Sequence, residues 1–197
     1  MITKESILKN EVEQIDIEKI KNFEELLNAY GKASIQARNL GKCFDIYKRM
    51  IKDEDVTIIL GLSGALIAGG LRKVIVSMIK NKIVDVIVST GAILYQDFYQ
   101  ARGYKHYVGN PNANDKILNK FFIDRIYDTY VDEEKFRETD RYIATIAENL
   151  IKDNKIYSTR EFLRILGNYI NDENSIIYNA NKNNIPIFCP AINDSSI

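Results

Sequence analysis

Two short apolar runs, each ending on small residues and each followed by helical spacing, constrain this chain more than any other feature. Val56-Thr-Ile-Ile-Leu60 ends on Gly61, and Val84-Asp-Val-Ile-Val88 runs into Ser89-Thr90-Gly91. A β-branched run without polar alternation suits a strand buried on both faces of a parallel sheet. Leu71, Val74, Ile75, Met78 and Ile79 follow the first run at helical spacing up to Asn81, and a second helical stretch covers Ile93 to Arg102. Two strand–turn–helix units in succession predict an α/β fold, with strands near 56–60 and 84–88.

The rest of the chain adds helices and a third strand. Phe23 to Met50 reads as two helices interrupted near Gly31 and Gly41. Gly103 to Val131 is irregular, with a loop at Tyr104–Pro111 and a helical turn or two between Ile117 and Tyr130. Glu133 to Lys152 is amphipathic, and Ser158-Thr-Arg-Glu161 is a capping box ahead of Phe162, Leu163, Ile165 and Leu166. A last helix over 172–184 delivers the chain to a strand at 185–188. The expected architecture is Rossmann-like: a mostly parallel sheet with helices on both faces, in a single domain spanning 1–197.

Charge and composition remove several function classes. Twenty-seven basic residues balance twenty-seven acidic ones, so no positive excess drives the chain onto nucleic acid or an anionic membrane. No stretch reaches the roughly 20 apolar residues of a membrane span, and no signal-peptide pattern opens the chain, so a cytoplasmic location is expected. Cys43 and Cys189 match no metal or redox spacing and read as two buried free thiols. His106 is the only histidine, and no metal site is expected.

The candidate site lies where the strands end. Gly61-Leu-Ser-Gly-Ala-Leu-Ile-Ala-Gly-Gly70 joins strand to helix, and such a turn lets backbone N–H groups approach an anionic ligand. The spacing is neither G-x-G-x-x-G nor a P-loop, and tight helix–strand packing explains the small residues equally well. Ser89 and Thr90 present hydroxyls and Gly91 bare backbone at the same end; either hydroxyl equally suits an N-cap. Asp194 falls at that end too, where a carboxylate can accept from ribose hydroxyls, although Asn-Asp-Ser is also an Asx-turn sequence.

Five segments together carry a family resemblance. Arg38-Asn-Leu-Gly41, Gly61-Leu-Ser-Gly-Ala-Leu66, Val84-Asp-Val-Ile-Val-Ser-Thr-Gly-Ala92, Arg125-Ile-Tyr-Asp128, and Pro186-Ile-Phe-Cys-Pro-Ala191 through Asp194-Ser-Ser196 resemble deoxyhypusine synthases, in that family's order. The resemblance extends to bacterial and archaeal deoxyhypusine synthase-like proteins, some of which make homospermidine. It implies NAD as cofactor and spermidine as aminobutyl donor, with the fragment held as an imine on an enzyme lysine. The acceptor it implies is a lysine of the hypusine-containing translation factor, or putrescine in homospermidine-forming relatives. A homotetramer is implied as well, since family active sites form between subunits.

Position by position, the resemblance places NAD contacts on Gly64, Ala65, Leu66, Ile67 and Ala68, on Thr90, Gly91 and Ala92, and on Asp194. It places the polyamine side on Tyr95 and Gln96, where the family has a glutamate or histidine in place of Gln96. A neutral amide cannot offset the charge of an ammonium. The family's imine-forming lysine, its histidine, tryptophan and acidic polyamine-binding residues lie beyond the motif at Asp194. Lys73, Lys80 and Lys105 do not match the lysine motif, so no catalytic residue is assigned. The expectation is therefore an N-terminal portion with a sheet incomplete at its C-terminus, inactive alone and completed by a second polypeptide or by further residues. The alternatives are a noncatalytic NAD-binding paralogue acting as a partner subunit, and an unrelated Rossmann-like oxidoreductase.

Overall fold

The structure, a computed structural model of the chain, describes residues 2–151, 155–195 and 197, apart from the side chains of Ile151 and Asp194. The chain divides into two compact units, one up to Val56 and one from Thr57 to Ile197.

The first unit contains a short helix α1 (Lys4–Ile7) and the pair α2 (Phe23–Lys32) and α3 (Ile35–Lys52). Asn22 caps α2 by accepting from the Glu25 N–H at 2.9 Å. The break between the pair falls at Ala33-Ser34, and Gly41 does not interrupt a helix as its sequence context predicts. Gly41 sits inside α3 against Gly31 of α2, where a Cβ would overlap the backbone N and Cα of Gly31. The two glycines are the crossing point of the helices. Cys43, expected to be buried, is exposed on α3.

The second unit runs β1 (Ile59–Leu62), α4 (Arg72–Lys80), β2 (Val86–Ser89), α5 (Gly91–Ala101), β3 (His106–Val108), α6 (Asp115–Lys120), β4 (Ile123–Ile126), β5 (Thr129–Asp132), α7 (Glu133–Ile151), α8 (Thr159–Gly167), α9 (Ile176–Lys182) and β6 (Ile187–Phe188). A 3-10 turn over Ile192–Asp194 follows. The predicted end of α7 at Lys152 lies outside the described residues. β1, β2 and β6 form the expected parallel sheet in that order, with Ile87 opposite Leu60 on one side and Ile187 on the other, and Ile59 opposite Val86. Helices flank it, and Ile67, Ile79, Ile87, Ile93, Leu94, Leu166 and Ile176 fill the core.

The first strand begins three residues later than the apolar run predicts. Asp85 Oδ2 accepts from the Ile58 N–H at 2.7 Å, and the Ile58 carbonyl accepts from the N–H groups of Asp85 and Val86, so the ladder opens at Ile59. Only β2 is central; β1 lies at an edge with Ile59 62% exposed, which corrects the expectation of burial on both faces. The capping box at Ser158 forms as predicted, with Ser158 Oγ accepting from the Glu161 N–H and Glu161 accepting from the Ser158 N–H.

A second sheet was not legible in the sequence. β3, β5 and β4 pair antiparallel in that order, in the segment predicted as loop and helical turns. His106, on β3, accepts from Gln100 Nε2 at Nδ1 (2.8 Å), while its buried Nε2 has no partner among the described residues. Burial, reinforced by the Arg72 charge, pushes its pKa down from 6.5 to about 4. The neutral ring is thus favoured by folding, and its stabilising contribution is present above pH 6.5 and lost as pH falls towards 4. His106→Gln is expected to flatten the stability difference across that interval in urea titrations at pH 4.5 and pH 7; an unchanged pH dependence refutes the assignment.

Candidate functional site

The carboxyl ends of β1, β2 and β6 open onto a crevice lined by Gly61, Leu62, Ser63, Val88, Ser89, Thr90, Gly91, Ala92, Pro190 and Ala191. In open α/β sheets this is the end at which ligands bind. One wall is formed by Gly61, Leu62 and Ser63 at the end of β1; the predicted Gly64, Ala65, Leu66, Ile67 and Ala68 do not line the crevice but form the glycine-rich turn that follows. This turn coils tightly, with the Gly69 N–H donating to Ala65 O, the Gly70 N–H to Ile67 O and the Leu71 N–H to Leu66 O. Gly64 and Gly70 have φ of +78° and +84°, a backbone region that glycine enters without strain. Ile67 anchors the turn in the core. Among the described residues, the N–H groups of Gly64, Ala65, Leu66 and Ile67 donate to no other group. Consecutive free N–H groups of this kind form an anion-binding concavity.

The second wall is the start of α5. Thr90 occupies the N-cap position, but its side chain makes no capping bond, and Ser89 Oγ donates instead to the Thr90 carbonyl at 3.0 Å. The capping alternative for both hydroxyls is therefore not realised. The first N–H groups of α5 keep their partial positive charge facing the crevice. Ser195 packs directly over Gly91, where a Cβ on Gly91 would overlap Ser195 Oγ and Cβ. The backbone of Asp194 thus lies in a turn beside this wall; its side chain is outside the described part.

Tyr95 and Gln96 lie further along α5 and are both buried. The Tyr95 hydroxyl is 2.7 Å from Asp140 Oδ1 and 3.0 Å from the Phe136 carbonyl. Burial, together with Asp140, raises its pKa far above the phenolic range, so it stays a donor towards α7. Gln96 Oε1 accepts from the Ala68 N–H at 3.2 Å, a bond between α5 and the glycine-rich turn.

Further along α5 lies a charged cluster that no sequence pattern announces. Asp97 is fully buried on α5. It accepts from Arg72 Nε (2.6 Å), Ser175 Oγ (2.7 Å) and the N–H groups of Ile176 and Ile177 (3.0 Å each). Arg72 also donates to the Asp97 carbonyl and to Asp172 Oδ2 at 2.8 Å. Burial alone would raise the Asp172 pKa, but the Asn174 N–H and Arg72 outweigh it and hold the carboxyl low. α9 begins at Ile176 and not at Asp172 as the sequence predicts: Ser175 Oγ is its local cap, accepting from the Tyr178 N–H at 3.1 Å, and Asp97 adds to it by taking the Ile176 and Ile177 N–H groups. Cys189, following β6, is buried as expected, which raises its thiol pKa. No cluster of three metal-ligating side chains occurs among the described residues, and no helix there is long and apolar enough to cross a membrane.

Fold and crevice define an α/β domain with an open parallel sheet and a crevice at the carboxyl ends of its strands. The sequence profile of the deoxyhypusine synthase family matches residues 25–197. A deoxyhypusine synthase-like protein of Chlorobaculum tepidum is 43% identical over 98% of this chain and 56% of its own length. A Methanosarcina mazei protein named "Probable deoxyhypusine synthase 2" is 40% identical over 93% of this chain and 53% of its own length. A crystal structure assigned as a deoxyhypusine synthase of Entamoeba histolytica superposes with TM-score 0.66 at 25% identity, covering 94% of this chain and 64% of that one. The chain belongs to the deoxyhypusine synthase family, and it spans about half the length of the curated relatives it matches.

Proposed function

We propose that this chain forms the NAD-facing half of an NAD-dependent aminobutyl-transfer site, with spermidine as donor and a protein lysine as acceptor. The observation that carries the reading is a crevice lined by the end of β1 at Gly61–Ser63 and by the uncapped start of α5 at Thr90–Ala92, with the unsatisfied N–H groups of Gly64–Ile67 following directly on Ser63. A pyrophosphate carries the charge such groups favour, and the glycines permit its close approach. Gly64, Ala65, Leu66, Ile67 and Ala68 would hold one side of the cofactor and Thr90, Gly91 and Ala92 the other, with Asp194 on its ribose. When bound, NAD supplies a hydride acceptor for amine oxidation and returns the hydride after transfer.

The chain's own residues bind, orient and screen. The turn and helix start fix the phosphates, the apolar residues Leu62 and Val88 exclude water, and Tyr95 holds its proton against Asp140. Tyr95 and Gln96 would lie on the polyamine side. The lysine that carries the four-carbon imine would come from further polypeptide, because the relatives are nearly twice as long as the matched region. An acceptor of putrescine, giving homospermidine, fits the same half-site, as does a noncatalytic subunit that binds NAD beside an active relative in a tetramer.

The test is calorimetric titration of the chain with NAD, followed by borohydride trapping with labelled spermidine and NAD. Saturable NAD binding is expected, with trapped label only on an added polypeptide that carries the lysine. Label on the 197-residue chain alone overturns the division of labour, and absence of NAD binding overturns the nucleotide reading.

A further inference from the structure

Among the described residues, Gln96 is the side chain of α5 that bonds to the glycine-rich turn. Its Oε1 accepts from the Ala68 N–H at 3.2 Å, and the residue is only 7% exposed. Six residues separate it from Thr90, so it lies about 9 Å up the axis of α5 from the helix start that forms the second wall. The turn is otherwise held by bonds internal to it and by the burial of Ile67. A tight coil can rotate as a body about such an anchor. The bond from Gln96 ties this coil, which carries four free N–H groups, to α5.

The same bond decides what Gln96 can offer an amine. An amide oxygen has two lone pairs, and one of them already serves Ala68. The other can accept from an amine, but a neutral amide does not offset the ammonium charge. We infer that Gln96 is a positioning residue for the cofactor turn: it latches Ala68 so that the turn and the start of α5 grip a single anion. The inference rests on the nucleotide reading of the crevice. It gives position 96 a part in cofactor geometry.

Two variants of similar size separate the latch from mere packing. Gln96→Leu fills the space without an acceptor, whereas Gln96→Glu keeps an oxygen for the Ala68 N–H. Amide hydrogen exchange at Ala68 is measured by NMR without ligand, NAD affinity by calorimetry, and folding of all three proteins by circular dichroism. Gln96→Leu is expected to speed Ala68 exchange about tenfold and weaken NAD binding roughly fivefold to tenfold, as loss of one ordering hydrogen bond implies. Gln96→Glu restores both to within about threefold of the unaltered protein. Unaltered exchange and affinity in Gln96→Leu overturn the latch, and so does equal loss of affinity in both variants, the signature of packing. If the unaltered chain binds no NAD, the nucleotide reading falls and the latch's role in cofactor binding falls with it, whatever Ala68 exchange shows.

Discussion

Asp97→Ala is expected to lower the thermal midpoint by roughly 10 °C, corresponding to about 3–5 kcal/mol of lost stability. The carboxylate is fully buried and accepts four hydrogen bonds, from Arg72, Ser175 and the first two N–H groups of α9. Its removal strands the Arg72 guanidinium, 8% exposed, with Asp172 as its remaining carboxylate partner. Breaking one partner of a buried pair costs far more than replacing both by apolar groups. The double variant Arg72→Met/Asp97→Leu should therefore recover a good part of the loss. Asp172→Asn should cost less than Asp97→Ala, because Asp172 is partly solvated and pairs with a single guanidinium nitrogen. Thermal unfolding followed by circular dichroism checks the series. A loss below about 1 kcal/mol for Asp97→Ala would show that water replaces the carboxylate, and the cluster would not organise the helices.

The second large effect is expected at Gly41, where two principles give opposite signs. Glycine in a helix interior costs about 1 kcal/mol relative to alanine, so propensity alone favours Gly41→Ala. The tertiary contact opposes it, because the new Cβ would overlap the backbone N and Cα of Gly31 and approach the Leu27 carbonyl at 2.9 Å. Backbone atoms of a packed helix cannot rotate away as a side chain can, so α2 and α3 must separate. Overpacking of this kind costs typically 1–3 kcal/mol, and here the strain falls on two backbones at once. We expect a net loss of about 2 kcal/mol, with proteolytic cleavage of the first unit accelerated before that of the second. A gain in stability would mean that the helices have room to part.

Gly41 also shows where sequence reasoning goes astray. Read along the chain, a glycine in a helical pattern looks like a break; its real partner, Gly31, lies ten residues earlier on the neighbouring helix. The late start of β1 has a similar origin, since Asp85 takes the Ile58 N–H from across the sheet. The antiparallel sheet went unseen because its strands are three or four residues long and carry Asp124, Arg125 and Asp132 among their apolar positions. Runs so short have no period to detect. The crevice was legible in part: Gly61, Ser63, Ser89, Thr90, Gly91 and Ala92 line it, while Gly64 to Ala68 do not. The small residues at each strand end had to meet once the two strands paired in parallel. Cys43 shows the opposite case, an apolar stretch whose thiol faces solvent.

By itself the sequence determined the order of strand, glycine-rich turn and helix, the capping box at Ser158, and the motifs that place the chain in its family. Each is written in neighbouring residues, where backbone sterics, helical period and local hydrogen bonding act. Tertiary structure alone decided that Thr90 leaves α5 uncapped, that Gln96 reaches Ala68, and that Asp97 caps a helix some 80 residues away. Those outcomes depend on which distant groups burial brings within about 3 Å, and a hydrogen bond at that range leaves no period in the sequence.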